Sequence, residues 1–121
     1  MANLITVLIC THNRAALLSR VLDSLNCARR PPGGVEILVV ANACTDGTHD
    51  HLAARASGSD RRPVESGRSR LPLRWVAEPA PGKSRALNRA ITMLTSEIVA
   101  FVDDDHRVDA GYLENIRKAA T

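Results

Sequence analysis

Three aspartates stand side by side in "EIVAFVDDDHRVDAGYL", residues 97–113, directly after an apolar run and directly before a histidine. Like charges about 5 Å apart repel by roughly 3 kcal/mol per pair at an effective dielectric of about 20, so Asp103, Asp104 and Asp105 call for a counter-charge. If Val102 to Asp105 stays extended, period-two alternation sends Asp103 and Asp105 to one side and Asp104 to the other. Two carboxylates so placed at a strand end suit a hard divalent cation, Mg²⁺ or Mn²⁺, whose remaining positions accept diphosphate oxygens. Such an ion steadies a departing phosphate as a Lewis acid. The plainer reading is an acidic loop in which Asp105 or Asp109 caps the next helix, yet a cap needs one carboxylate and not three. His106 either joins the metal shell, meets a phosphate or is ordinary surface. His12, in another turn, offers an imidazole face on which a nucleobase can pack, or is ordinary surface too.

A second stretch with chemistry in it is "EPAPGKSRALN", residues 78–88. Gly-Lys-Ser ahead of a helix suggests a phosphate loop of the P-loop type, but that pattern requires a glycine where Ala77 stands. Pro79 and Pro81 also lack the N–H groups such a loop uses as donors, and Glu78 adds negative charge. A P-loop phosphohydrolase is therefore disfavoured. Lys83 and Arg85 remain candidates for pairing with a nucleotide or diphosphate, against the alternative of exposed cations in a first helical turn.

These clusters need elements to position them. "LITVLIC", Leu4 to Cys10, is a continuous β-rich apolar run and predicts a strand covered on both faces. It ends at "THNR". Leu17, Leu18, Val21, Leu22 and Leu25 recur at helical spacing, and "RRPPGG" stops that helix. "VEILVVA", Val35 to Ala41, predicts a second buried strand. Thr45 and Asp46 are cap-type residues before a short helix ending near Ala56. "LPLRWVAE" predicts a third strand, and "GKSRALNRAITMLTS" a helix with Ala86, Leu87, Ala90, Ile91 and Leu94 on one side. "EIVAFV" predicts a fourth strand, and Tyr112 to Ala120 a last helix. Strict β-α alternation implies an α/β fold of Rossmann type, a mostly parallel sheet with helices on both faces. Ligands in such sheets gather beyond the carboxyl ends of the strands, where "THNR", "NACTD" and "DDDH" all fall.

The bulk properties narrow the partners. A chain of 121 residues, 45% hydrophobic, suffices for one domain with one core. With one Trp, one Tyr and one Phe it has no stacking platform for single strands, so no nucleic-acid partner is expected. The net charge of +3 gathers around the arginine-rich stretch between Arg55 and Arg74. The stretch from Arg55 to Arg74 reads as a mobile, solvated basic surface loop, its variable part at residues 56–72, or else as a patch for phosphate or anionic lipid. Cys10, Cys27 and Cys44 form no CxxC pair and are odd in number, which fits a reducing compartment better than disulfides or zinc. No basic leader or long apolar run is visible, so a soluble chain is expected.

Taken together, these residues resemble the amino-terminal, nucleotide-sugar-binding half of family 2 inverting glycosyltransferases of the GT-A fold. Family members show a strand leading into P-T-Y-N-R; here "CTHNR" keeps Thr11, Asn13 and Arg14, with Cys10 and His12 as departures. The family's V-D-N-x-S-x-D-G-T is matched by "VANACTDGT", which keeps Asn42, Asp46, Gly47 and Thr48 and departs at Ala41 and Cys44. P-G-K-x-x-A-L-N is matched by Pro81, Gly82, Lys83, Ala86, Leu87 and Asn88, and D-x-D by "VDDD". The resemblance implies transfer of a sugar from a nucleoside-diphosphate sugar to an acceptor hydroxyl on a glycan, lipid or other compound. It implies that Thr11, Asn13, Arg14, Asn42 and Asp46 serve the donor pocket and that Lys83 supports the nucleotide, with His12 kept as a candidate there from its place in the turn after the first strand. Asp103 and Asp104 would lie at the donor, with Asp103 and Asp105 on Mg²⁺ or Mn²⁺. Ala41 removes the carboxylate that usually contacts the base, leaving Asn42 or a nearby carbonyl to substitute.

Inverting transfer also needs a general base. The resemblance places it beyond the D-x-D, so residues 1–121 read as a donor-binding half, inactive in isolation, or alternatively as a non-catalytic nucleotide-binding module. The expected location is cytoplasmic, at the inner face of a membrane if further segments provide a peripheral anchor.

Overall fold

The computed structural model describes residues 4–57 and 70–120. The elements alternate as β1 (Ile5–Thr11), α1 (Ala15–Cys27), β2 (Val35–Asn42), α2 (Thr48–Ser57), β3 (Leu73–Glu78), α3 (Lys83–Ile91), β4 (Ile98–Phe101) and α4 (Tyr112–Ala120). The four strands form one parallel sheet in the order β3-β2-β1-β4. Every residue of β2 is buried and β1 nearly so, whereas β3 and β4 at the edges are half-covered. The expected α/β architecture with helices on both faces is what the chain adopts.

The two faces follow from alternation along β1. Ile5, Val7 and Ile9 point to one side, where Leu18, Val21, Leu22 and Leu25 of α1, Leu52 of α2 and Leu113 of α4 complete the larger core. Leu8 points to the other, joining Leu38 and Val40 under Ala86 and Ala90 of α3. Small alanines let α3 sit close on the sheet. Between α1 and β2 the chain reverses through Gly33 and Gly34, both at positive φ, and the Gly34 carbonyl accepts the Ile5 N–H.

Three expectations need correction. The helix over "GKSRALNRAITMLTS" stops at Ile91, because Met93 and Leu94 donate only three residues back, to Ala90 and Ile91, which tightens and ends the turn. Ile91 is 63% exposed and not on the packed side, since at 3.6 residues per turn it lies about 140° around from Ala86. The basic stretch is not uniformly solvated either. Arg55 is buried at the end of α2, where its Nη2 donates to Asp23 (2.6 Å) and Ser19 (3.2 Å) of α1. Arg74 in β3 bridges both carboxylate oxygens of Glu36 (3.0 and 3.1 Å). Of the loop expected over residues 56–72, positions 58–69 lie outside the described residues.

Candidate functional site

A crevice of about 460 Å³ opens at the carboxyl ends of β1, β2 and β4, against the start of α3. Thr11, His12, Arg14, Asn42, Lys83, Asp103, Asp104 and Asp105 all line it. Asn13 and Asp46 do not. They sit in the loops after β1 and β2, where Asn13 takes a left-handed backbone (φ 52°) and turns its side chain to the neighbouring loop. Its Oδ1 accepts the N–H groups of Thr45 (2.7 Å) and Asp46 (3.2 Å), and its Nδ2 donates to Thr45 Oγ1 (3.3 Å). Asp46 accepts both the amide and the hydroxyl of Thr48 at the entry to α2, and the hydroxyl bond does most to hold its carboxyl below the usual carboxylate range.

The aspartates are arranged by a turn, not by an extended strand. Pairing of β4 ends with the Val102 N–H on the Leu8 carbonyl (3.1 Å), after which the His106 N–H returns to the Asp103 carbonyl (3.2 Å). Asp104 points inward and is buried, accepting from Thr11 Oγ1 (2.8 Å) and Arg14 Nη1 (3.3 Å). Arg14 thus answers the charge of one aspartate outright and reaches within 3.8 Å of Asp105. Asp103 and Asp105 stay exposed beside His106, whose Nδ1 and Nε2 each lie 3.9 Å from one of their oxygens. One ligand atom from each of the three lies within 4.8 Å of the other two. Two carboxylates and an imidazole at the rim suit an oxygen-preferring divalent ion that keeps water or phosphate in its remaining positions.

His12 and Asn42 connect the two loops. His12 Nδ1 lies 2.8 Å from the Asn42 carbonyl, which can only accept, so Nδ1 carries a proton and donates it there. The Asn42 carboxamide is engaged by the loop after β3: Nδ2 donates to the carbonyls of Glu78 (3.2 Å) and Ala80 (2.8 Å), and Oδ1 accepts the Gly82 N–H (3.1 Å). The Ala80 N–H is taken by Glu78 Oε2 (3.0 Å). Backbone donors before α3 are thereby occupied by protein or absent at proline, which argues physically against a P-loop. Lys83 and Arg85 are both exposed, but only Lys83 lines the crevice.

Sequence reasoning missed the apolar floor. Leu8, Cys10 and Phe101 line the crevice with Ala86 and Leu87, and Phe101 is 67% exposed. Leu8 and Phe101 are paired in register, so alternation along β1 and β4 held the signal. Burial pushes the Cys10 thiol above its ordinary pKa, which Lys83 opposes and Asp104 reinforces.

Beyond the carboxyl ends of this parallel α/β sheet, then, lie an acidic rim, a lysine and an apolar floor around one crevice. The model of the family described as glycosyl transferase family 2 matches residues 6–121, and the chain belongs to that family. Over 112 residues it is 28% identical to a beta-monoglucosyldiacylglycerol synthase of Nostoc sp., covering 93% of this chain and 22% of that protein. Among solved structures it resembles the Pyrobaculum calidifontis mannosyltransferase PcManGT in complex with GDP-Man and Mn²⁺, at 31% identity and a TM-score of 0.74. That match covers 96% of this chain and 31% of the other. It also resembles S. aureus TarS 1-349 in complex with UDP-GlcNAc, at 28% identity and a TM-score of 0.68, covering 96% of this chain and 30% of the other. The chain therefore spans between a fifth and a third of the length of these relatives. Among the described residues no helix is long and apolar enough to cross a membrane.

Proposed function

We propose that this chain binds a nucleoside-diphosphate sugar and a divalent cation as the donor-binding half of an inverting glycosyltransferase. The observation that carries it is the meeting of Asp103 and Asp105 with Lys83 around one crevice at the strand ends, with His106 beside the two carboxylates. Asp103 and Asp105 hold Mn²⁺ or Mg²⁺, with His106 at its edge, and the bound ion supplies charge neutralisation for the diphosphate leaving group. Lys83 meets the diphosphate from the other wall. Arg14 and Thr11 fix Asp104, which sets the turn that presents its two neighbours. The imidazole of His12, held by the Asn42 carbonyl and lining the crevice, offers its face to the nucleobase near Ala41, where the family's carboxylate is absent.

Transfer also requires a group to take the acceptor proton. No crevice residue is assigned to it, so the chain alone binds donor with little turnover. The acceptor is a hydroxyl on a glycan or lipid, the lipid case being favoured by the diacylglycerol-linked sugar in the name of the Nostoc relative.

Calorimetric titration of the chain with UDP and GDP, with and without Mn²⁺, tests the reading. Metal-dependent binding of at least one of them is the expected result. A folded sample that binds neither would overturn it.

A further inference from the structure

We infer that Asn42 is a positioning residue that sets Lys83 toward the diphosphate, and not a contact to the base. The role rests on the nucleotide-binding reading above. Asn42 is the last residue of β2 and is 8% exposed. Its two amide hydrogens go to the Glu78 and Ala80 carbonyls and its oxygen to the Gly82 N–H, so both donors are consumed inside the protein. The Ala43 N–H adds a backbone bond to the Glu78 carbonyl (2.8 Å), making residues 42 and 43 one clamp on the segment from 78 to 82.

What the clamp holds is a strained approach to α3. Gly82 sits at φ 122° and ψ 139°, a conformation all but reserved for glycine, and the next residue is Lys83. Gly82 has no side chain that caps the helix, and its own carbonyl accepts the first helical bond from the Ala86 N–H (3.1 Å). Orientation of the first turn therefore depends on the bond from Asn42 to the Gly82 amide. Two donors and one acceptor at this reach are what a carboxamide on a short stem supplies. Aspartate has the acceptor without donors, and its charge would face two carbonyls.

The test is a double-mutant cycle in Mn²⁺-dependent UDP and GDP affinity. Asn42→Ala should weaken binding about tenfold in the unsubstituted chain and less than about twofold in a Lys83→Ala background, because the first change acts through the second residue. Equal losses in both backgrounds would overturn the assignment. Asn42→Asp provides an independent arm that keeps the oxygen. Retained affinity would show that the two donors to the Glu78 and Ala80 carbonyls are dispensable and would refute the clamp, whereas a loss like that of Asn42→Ala supports it. Exchange of the Gly82 amide hydrogen in the nucleotide-free chain should accelerate in Asn42→Ala, and unchanged exchange there would again refute the clamp. If the unsubstituted chain binds neither nucleotide, the functional reading itself fails, an outcome distinct from an additive cycle.

Discussion

Asp104 differs from its neighbours in what surrounds it, and the difference decides what each substitution should do. Its carboxylate is buried on Thr11 and Arg14, whereas the side chains of Asp103 and Asp105 are 64% and 48% exposed. Asp104→Ala orphans the Thr11 hydroxyl and releases Arg14, costing about 1–3 kcal/mol of stability in denaturant titrations without any metal. Asp103→Ala and Asp105→Ala should change stability by less than about 0.5 kcal/mol but remove the Mn²⁺ dependence of nucleotide binding. The reverse pattern would mean that the outer pair is structural. The adjacency of the three carboxylates was legible in the sequence, and so was the separation of the middle one. The cause was not, because an extended strand and a tight turn both separate alternate side chains, and only the Asp103–His106 turn bond distinguishes them. The partners that Asn13 and Asn42 take within the fold were illegible for a related reason. They are backbone groups of loops more than 30 residues away, and no local pattern encodes those.

Elements whose identity rests on apolar periodicity were the legible ones. β1, β2 and α1 bury continuous or helically spaced runs, so their cores could be listed from residue types. The ends of α3 and β4 depend on which bond closes the next turn, and periodicity carries no such information. The entry to α2 is a case where one titratable side chain does the closing. Asp46 accepts the Thr48 amide and hydroxyl, and its native pKa is lowered from 3.8. A lowered native carboxyl contributes stability that is complete above its unfolded pKa and disappears as pH falls through the native value. Asp46→Asn keeps an acceptor but cannot titrate. The melting temperature of the unsubstituted chain should therefore exceed that of the variant at pH 7, and the gap should close on acidification below about pH 4. A gap constant between pH 7 and pH 2 would show that Asp46 does not stabilise α2 through its charge.

At the scale of the whole sheet, stability and chemistry lie at opposite strand ends. The crevice gathers what lies beyond the carboxyl ends, as open parallel sheets favour. Near the amino ends a buried polar network ties three strands and the turn before the fourth. Thr6 of β1 donates to Glu36 of β2 (2.8 Å) and shares a bond with Ser96 (2.7 Å), while Arg74 of β3 holds Glu36 and the Met93 carbonyl (3.0 Å). The neighbours β3-β2 and β2-β1 are thus each joined by a specific polar contact on the face that carries α3, and β1 is joined to the turn before β4. Glu36→Ala removes the hub. Thr6 keeps Ser96 and Arg74 keeps Met93, so the loss should be about 1–3 kcal/mol, short of what a fully orphaned buried charge would cost. The affinity of the folded variant for UDP or GDP with Mn²⁺ should stay within about twofold, since changes without shared partners are close to additive. Chemical denaturation and titration on one sample check both halves. A large affinity loss with unchanged stability would mean that the network reaches the crevice, and the separation of scaffold from site along the strands would fail.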